Sequence, residues 1–321
     1  MPGEFDLIRR YFAHATESRE DVPLGIGDDC ALLKVPSDRW LAVSCDTLVA
    51  GRHFLPGVDP ETLGHKALAV NLSDLAAMGA EPAWASLCLT LPEADEAWLA
   101  AFMRGFSALA ARHGVQLVGG DTTRGPLSIS VTIQGLADPA HTLRRDAARP
   151  GDLVYVSGTL GDAGLALLAQ QGLYTRAGSL PFLRQRLDQP EPRVELGLAA
   201  APLAHAAIDL SDGLGGDLAH VCTASGVGAM LYLDRLPLSP AVRDYVDETG
   251  DWSLPLSAGD DYELLLTVPG ERQAAFEAAM REQAVPVTWV GMIESGAGVR
   301  AQYPDGQIDE GVAKGHDHFA G

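Results

Sequence analysis

The chain has 321 residues, enough for two domains at roughly 150 residues each. Hydrophobic residues make up 47% of it, which excludes a wholly disordered protein. Lys and Arg number 23 against 43 Asp and Glu, a formal net charge of −20, and so acidic a surface repels nucleic-acid backbones and anionic lipid. We therefore expect no nucleic-acid partner and no membrane partner.

Short apolar strands alternate with helical patterns along the chain. The predicted strands are Leu41–Cys45, Ala85–Leu91, Gln116–Gly119, Ser128–Gln134, Leu153–Ser157, Met230–Leu233, Leu264–Val268 and Val287–Met292. The predicted helices are Thr62–Met78, Glu96–His113, Asp162–Gln171, Gly213–Ser225 and Glu271–Gln283. The strands come from apolar runs or polar–apolar alternation, and the helices from apolar residues at 3.6-residue spacing. This mixture predicts an α/β (α+β) protein.

A domain boundary is predicted near residue 150. The segment 147–152, AARPGD, contains a Pro-Gly turn, and a new strand, LVYVSG, follows it directly. We predict an N-terminal domain over residues 1–148 and a C-terminal domain over residues 149–321. The sequence contains no repeat with a period of 20–50 residues, so it does not indicate a solenoid.

Cysteine usage and the N-terminus bear on the compartment. The four cysteines (Cys30, Cys45, Cys88 and Cys222) form no C-x-x-C pair, which argues against a disulfide framework or a thiolate zinc site and is typical of a reducing compartment. The first residues, MPGEFDLIRRYF, lack the apolar run of a signal peptide. No stretch of about 18 apolar residues would span a membrane. We expect a cytoplasmic protein.

Aspartates recur where apolar segments meet Gly, Ser or Thr. The segments are GIGDDCALL, SCDTLVAGRHF, NLSDLAAMGAEP, GGDTTRGP, SGTLGDAG, AIDLSDGLGGDL and SAGDDYELLL. Taken singly, each fits an ordinary helix cap or turn, and Ser211 and Asp212 fit a cap before a helix that begins at Gly213. The doubled acids of the first and last segments are flanked by apolar runs, where two ionised carboxylates repel each other unless a cation lies between them. Oxygen ligands without paired His or Cys favour Mg²⁺ or Ca²⁺.

Several phosphate-binding and hydrolytic motifs are absent from the sequence. There is no G-x-x-x-x-G-K-[ST], and the three lysines (Lys34, Lys66 and Lys314) lie outside glycine-rich loops, which excludes P-loop and protein-kinase mechanisms. The motifs G-x-S-x-G and H-E-x-x-H are also missing. Phosphate chemistry in this protein would therefore depend on metal ions and a few arginines.

The ordered set of segments resembles the thiamine-monophosphate kinase family. The matching pieces run from Gly25 to Phe319: GIGDDCALL, D-T-L-V-x-G-x-HF, KALAVNLSDLAAMGA, GGDTTRGP, IDLSDGL, DYEL and DHF. The resemblance implies a two-domain architecture like that of aminoimidazole ribonucleotide synthetase, with a homodimer formed through the N-terminal sheet. It also implies ATP-dependent phosphorylation of thiamine monophosphate to thiamine diphosphate, the last step of thiamine diphosphate biosynthesis. Direct in-line transfer would be assisted by several Mg²⁺ ions, with K⁺ as a further candidate cation.

The same resemblance implies roles for individual residues. The magnesium ligands would be Asp29, Ser44, Cys45, Asp46, Asp74, Asp121, Asp209 and Asp212. The ATP contacts would be Gly120, Asp121, Arg145 and Ser211. The thiamine phosphate contacts would be His53, Asp260 and His316. No residue is assigned as a general acid or base, because the second pKa of a phosphate monoester, near ~6, leaves the attacking oxygen ionised at neutral pH.

Three positions depart from the family pattern. Cys45 stands where the family has Thr, and because a thiol is a poor Mg²⁺ ligand it can contribute only through its backbone carbonyl. Asp260 replaces a Glu, so its carboxylate is one methylene shorter. His316 replaces an aromatic residue, and its imidazole can still stack on a thiazolium or pyrimidine ring.

Three alternatives stay open at this point. Another ATP-using enzyme of the superfamily, such as aminoimidazole ribonucleotide synthetase, would share the acidic site and take a different acceptor; selenophosphate synthetase would need an early reactive Cys, for which Cys30 is the candidate. A calcium-stabilised binding module would need an EF-hand loop or a glycine-aspartate repeat, and neither is found. An acidic surface without any site would place its charges on exposed helix faces. The HF after D-T-L-V and the final DHF favour the thiamine acceptor.

Overall fold

The computed structural model describes residues 4–312, and their side chains from residue 6 onward. These residues form two compact units. The first takes the chain up to Leu75 together with Ala80–Ala140, and the second takes Ala76–Gly79 and the chain from His141 onward. None of the helices in the described range is long and apolar enough to cross a bilayer.

The N-terminal unit is built on a four-stranded sheet. Its strands, in spatial order, are β1 (Trp40–Val49), β4 (Ser128–Ala137), β2 (Ala80–Leu91) and β3 (Gln116–Arg124). Strands β1 and β4 pair antiparallel without a bulge, whereas β2 and β3 are parallel. The helices are α1 (Glu4–Leu7), continued by a π-helical turn at Ile8–Phe12, α2 (Pro60–Ala77) and α3 (Glu96–Arg112).

The two faces of this sheet differ in burial. Along β4, Ile129, Val131 and Ile133 are buried, and the residues between them are half-buried. A Cβ at Gly135 would lie 2.9 Å from the Leu75 side chain, so the odd-numbered face of β4 packs on α2. On β1 the even-numbered residues share that face, because Asp46 pairs with Val131. The other face is covered only in part.

The C-terminal unit is a seven-stranded mixed sheet with helices around it. Its strands, in spatial order, are β11 (Ile308–Asp309), β10 (Gly298–Gln302), β7 (Gly228–Tyr232), β9 (Val287–Glu294), β5 (Leu153–Ser157), β8 (Leu264–Val268) and β6 (Ala206–Asp209). The helices are α4 (Asp162–Gln170), α5 (Leu180–Asp188), α6 (Val194–Ala200), α7 (Leu214–Ser225), α8 (Pro240–Thr249), α9 (Ser253–Ser257) and α10 (Gln273–Met280). A core of aliphatic residues from the central strands and α7 fills the space between sheet and helix.

The structure contains all the predicted strands and helices, with ends that shift. Two strands, Leu153–Ser157 and Leu264–Val268, have the predicted bounds. The predicted Leu41–Cys45 extends to Trp40–Val49, because pairing with β4 continues along the whole strand. The elements that the sequence did not predict are short: α1, α5, α6, α8, α9, β6, β10 and β11. Packing, more than periodicity, decides the conformation of such short segments.

Candidate functional site

The N-terminal unit brings three predicted metal ligands together between β1 and α2. Ser44 Oγ on β1 donates to Asp74 Oδ2 on α2 at 2.5 Å. The Asp46 amide donates to Asn71 Oδ1, also on α2, at 3.1 Å. Burial, with a smaller contribution from the charge of Asp74, raises the pKa of Asp46 to about 6. Two carboxylates held this close in a partly buried place favour a cation between them.

Strand geometry separates Cys45 from its neighbours. Cys45 pairs with Thr132 and is exposed, so its thiol lies on the opposite face of β1 from Ser44 and Asp46. Only its backbone carbonyl can act together with those two side chains. Asp46 and Asp121, which lie just beyond the predicted strands Leu41–Cys45 and Gln116–Gly119, lie inside β1 and β3.

A cavity of about 620 Å³ lies in the same unit beside β3. Predicted ligands Asp29, Gly120 and Asp121 line it, and part of its wall is apolar: Ile8, Phe12, Ile26, Leu117 and Val118. Gly120 has φ +145°, and a Cβ there would lie 1.8 Å from the Leu87 carbonyl oxygen, so only glycine lets β3 run so close to β2. Asp28 accepts a hydrogen bond from the Asp29 amide at 2.8 Å. An apolar wall with an acidic rim suits a nucleotide whose phosphates carry a metal ion.

His53 has a defined role within its own turn. Its Nδ1 accepts a hydrogen bond from the Val49 amide at 3.0 Å, which leaves Nε2 to carry the proton of the neutral ring. The side chain is half-buried.

Among residues 6–312 no three His, Cys, Asp or Glu side chains come together as a ready metal cage. Mg²⁺ does not need one, because it usually binds through one or two carboxylates, with phosphate oxygens and water completing its six ligands. The oxygen donors of Ser44, Asp46 and Asp74, with the raised pKa of Asp46, fit that kind of site.

In the C-terminal unit the predicted acids Asp209 and Asp212 lie at the end of β6 and just after it. Asp209 is the last residue of β6 and is buried. The expected cap by Ser211 and Asp212 is wrong: α7 begins at Leu214, its N-cap is Gly213, and no side chain caps it. A Cβ on Gly213 would lie 2.7 Å from the Ser257 backbone, so the chain turns here on glycine. Ser211 and Asp212 are therefore not used as helix caps.

Sequence reasoning missed Asp217, in the first turn of α7. Its Oδ2 accepts a hydrogen bond from the Asp212 amide at 3.1 Å. Burial raises the pKa of Asp217 to about 7; the charge of Asp212 adds to the rise and the charge of Arg145 opposes it. Predicted residues Asp212 and Arg145 thus lie within electrostatic reach of one buried carboxyl. The signal was present, since Asp217 ends the segment AIDLSDGLGGD.

The predicted acceptor contact Asp260 lies in a strained turn. Asp260 (φ +60°) and Tyr262 (φ +49°) are the only non-glycine residues with positive φ in the described part of the chain. Such a conformation costs about 1–2 kcal/mol for each residue that has a Cβ. The Asp260 amide donates to the Ser211 carbonyl at 2.8 Å, and the Tyr262 amide to the Leu210 carbonyl at 2.9 Å. The turn is therefore tied to the segment that carries Ser211 and Asp212.

Sequence reasoning also missed a group of ionisable residues next to this turn, apart from the doubled acid that marked Asp261. Asp162, Asp261 and Glu263 are buried, and Arg186 and Arg193 are half-buried. Burial raises the pKa of Asp261 to about 8. The third predicted acceptor contact, His316, lies outside the described residues.

Comparison with known proteins decides the family. The chain matches two domains of AIR synthase related proteins, the N-terminal domain over residues 27–137 and the C-terminal domain over residues 149–304. The thiamine-monophosphate kinase of Salmonella typhimurium is 49% identical over 320 residues, which cover 99% of this chain and 98% of that protein. The chain belongs to the thiamine-monophosphate kinase family. The resemblance found in the sequence motifs is confirmed, and with it the expectation of a kinase.

Solved structures of the family agree with the fold. Thiamine-monophosphate kinase from Stenotrophomonas maltophilia K279a is 47% identical, with a TM-score of 0.86 over 95% of this chain and 97% of that one. AaThiL complexed with AMPPCP and TMP is 34% identical, with a TM-score of 0.78 over 92% of each chain. The predicted two-part α/β architecture is confirmed.

Proposed function

We propose that this protein transfers the γ-phosphoryl group of ATP to thiamine monophosphate, producing thiamine diphosphate and ADP. The observation that carries the proposal is the likeness, over nearly the whole chain, to a family member complexed with AMPPCP and TMP. The acids of the N-terminal unit support it, because they supply the oxygen donors that an ATP–metal complex requires. Since the reaction consumes ATP, we place it in the cytoplasm.

The transfer needs positioning more than acid–base chemistry. A phosphate oxygen of thiamine monophosphate attacks the γ-phosphorus while the bond from that phosphorus to the β–γ bridging oxygen breaks, and ADP leaves with that oxygen. The attacking oxygen has already lost its proton at neutral pH, because its pKa is near ~6. In-line attack without a phosphoenzyme is therefore chemically sufficient.

The proposed cation ligands are the eight residues Asp29, Ser44, Cys45, Asp46, Asp74, Asp121, Asp209 and Asp212. Mg²⁺ bound by them would screen the repulsion between two polyanions and stabilise the charge that spreads over the transferring group. The proposed ATP contacts are Gly120, Asp121, Arg145 and Ser211, of which Gly120 and Asp121 line the cavity. His53 and Asp260 would orient the acceptor.

We also propose a homodimer formed through the open face of the N-terminal sheet. On the edge strand β1, three large apolar side chains on that face are exposed: Leu41 by 47%, Val43 by 58% and Val49 by 37%. An edge strand with exposed apolar residues is a surface that proteins normally cover. A second copy of the same face is a self-complementary cover with closed twofold symmetry.

Product analysis tests the proposed reaction. Purified protein is incubated with ATP, Mg²⁺ and thiamine monophosphate, and the thiamine species are separated by chromatography. Thiamine diphosphate should form in equal amount to ADP and should disappear when EDTA is added. Tight ATP binding without diphosphate would show that the acceptor is wrong, and ribonucleotide acceptors would be tried next.

The stereochemistry at phosphorus tests direct transfer. ATP made chiral at the γ-phosphorus with oxygen isotopes should give thiamine diphosphate with inverted configuration, as a single in-line displacement requires. Retention would mean two displacements and a phosphoenzyme, and would overturn the direct mechanism while leaving the overall reaction in place.

A further inference from the structure

The C-terminal unit contains a buried ion cluster that takes no direct part in the proposed transfer. Glu263, fully buried at the start of β8, is its centre. Arg193 donates from Nε to Glu263 Oε2 at 2.7 Å and from Nη2 to Oε1 at 2.5 Å. Arg186 Nη2 donates to Oε1 at 2.9 Å, and Ser157 Oγ donates to Oε2 at 2.6 Å. We call these four residues the Glu263 cluster.

The fold leaves a shaped space for this carboxylate. A Cβ on Gly158 would lie 2.1 Å from Glu263 Oε1, so only glycine leaves room for it. The two-pronged contact from Arg193 fixes the plane of the carboxylate as well as its position, which a single point charge does not do. Both arginine side chains are only 12% exposed, so solvent screens the contacts little. The cluster therefore defines the position of residue 263 closely.

The cluster and its neighbours Gly161 and Leu210 hold the strained turn on both sides of Tyr262. Arg186 Nη2 also donates to the Asp261 carbonyl oxygen at 3.2 Å. The Asp261 carboxyl oxygens accept from the Gly161 amide at 2.9 and 3.1 Å. The Glu263 carbonyl accepts from the Leu210 amide at 2.8 Å. Residues 261 and 263 are thus held on either side of Tyr262, and Asp260 directly precedes them.

A turn with positive φ at two residues that carry a Cβ persists only when its surroundings hold it. If residues 261 and 263 were released, Asp260 and Tyr262 would relax toward negative φ, and the Asp260 carboxylate would move. Two backbone contacts of the turn come from outside the cluster: the Asp260 amide donates to the Ser211 carbonyl, and the Tyr262 amide donates to the Leu210 carbonyl.

We propose that the Glu263 cluster holds Asp260 in the conformation that binds thiamine monophosphate, so that Glu263 and Arg193 are positioning residues for the acceptor. The inference rests on the proposed function and deepens it. Neither residue needs to touch the acceptor, because each acts through the turn that Asp260 occupies.

Steady-state kinetics of three variants test this proposal. Glu263→Gln removes the negative charge of the cluster, and Arg193→Lys keeps the positive charge but loses the two-pronged contact. The control is Arg176→Lys, because Arg176 is an exposed arginine of the same unit that pairs with Asp244. We expect Glu263→Gln to raise KM for thiamine monophosphate about 10- to 100-fold relative to KM for ATP, because small displacements at a binding group have effects of that size. Arg193→Lys should give a smaller rise, and Arg176→Lys none.

A double-mutant cycle distinguishes positioning from general loss of structure. Asp260→Ala should raise KM for thiamine monophosphate, and adding Glu263→Gln should then raise it little further, because both changes remove the same contact. Effects that multiply in the double variant, or folded variants with wild-type KM, would overturn the positioning role. If Glu263→Gln does not fold, Arg193→Lys takes its place in the cycle. A wild-type protein that binds ATP and does not phosphorylate thiamine monophosphate would instead overturn the proposed function itself, and with it the acceptor named here.

Discussion

Asp46 combines burial, a neighbouring acid and a place on a rigid strand. Burial and, to a smaller extent, the charge of Asp74 raise the pKa of Asp46. An asparagine has nearly the same shape and carries no charge, so it would weaken cation binding without disturbing the packing of β1 against α2. The charge, more than the shape, is what the proposed site requires of this residue.

The first prediction is that Asp46→Asn lowers kcat for thiamine diphosphate formation by about 100-fold or more, since losing one electrostatic contact to a transition state has effects of that size. The loss should be smaller at high Mg²⁺ concentration. The matched control is Asp247→Asn on the exposed side of α8, which should retain full activity. Turnover by Asp46→Asn within twofold of the wild type would contradict a metal role.

The second prediction concerns Asp261, whose pKa burial raises from 3.8 to about 8. Because the folded state holds this proton more tightly than the unfolded state, the contribution of Asp261 to stability is complete below pH 4 and is lost as the pH rises toward 8. Asp261→Asn mimics the protonated form and has no such dependence. Its stability relative to the wild type should therefore increase with pH, by up to ~1.4 kcal/mol per pH unit between pH 4 and 8.

Denaturant unfolding of both proteins at several pH values between 4.5 and 8.5 measures this difference. A difference that does not change with pH would show that Asp261 is ionised in the folded protein. At the sequence level the doubled acid of SAGDDYELLL indicated a cation between two charges. Because burial raises the pKa of Asp261, the pH series measures directly whether both acids of this pair are ionised.

At the scale of elements, α2 and α3 cross at two glycines. A Cβ on Gly64 of α2 would lie 1.9 Å from the Phe102 carbonyl oxygen, and a Cβ on Gly105 of α3 would lie 1.8 Å from the Glu61 carbonyl oxygen. The two backbones therefore touch, and neither contact involves a flexible side-chain end. This crossing fixes α2, and α2 carries Asp74 and Asn71.

The third prediction is that Gly105→Ala destabilises the protein by about 1–3 kcal/mol, as overpacking does in other cores, although alanine is the better helix former. The control is Gly178→Ala, where a Cβ would meet nothing within 4 Å. Denaturant midpoints of the two variants give the comparison. Equal stability of Gly105→Ala and wild type would mean that the helices can separate without cost.

The apolar spacing within α2 and α3 was readable in the sequence, but their crossing was not. Glycine inside a helical pattern normally lowers helix propensity, and only the position of the facing backbone explains why it stands there. The same applies to Gly120 and Gly158. A Cβ at Gly120 would collide with the Leu87 carbonyl oxygen, and a Cβ at Gly158 would collide with the Glu263 carboxylate. Each of these close approaches joins elements that are far apart in the chain, so local sequence patterns do not show it.

At the scale of the whole molecule, the N-terminal sheet has one face that is covered only in part. This open face is the surface through which we propose that two chains pair. The fourth prediction is that the wild-type protein sediments as a dimer of its 33.8 kDa chain and that Val43→Lys shifts it to monomer, because a buried lysine in an apolar interface loses its hydration. Val35→Lys is the control, since Val35 is also exposed (41%) and lies outside the sheet.

Sedimentation equilibrium at micromolar concentration measures both variants. Cys45 and Cys88 offer a second readout, because both are exposed in the single chain, and the proposed interface would cover at least Cys45, which pairs with Thr132 on the open face. Its thiol should react slowly with maleimide in the wild type and faster in Val43→Lys. A monomeric wild type would refute the homodimer.

The family and the two-part α/β architecture could be predicted from the sequence, because they depend on contiguous segments whose order along the chain is specific; the same segments supplied most of the candidate site residues. It also indicated that Cys45 could act only through its carbonyl, and β-strand alternation later gave the geometric reason. Only the tertiary structure decided which residues stand behind the site. Arg193 and Arg186 reach Glu263 across 70 and 77 positions of sequence, because β5, β8 and the helices around them bring those segments together. Contacts over such separations are set by packing and strand register, which no local pattern encodes.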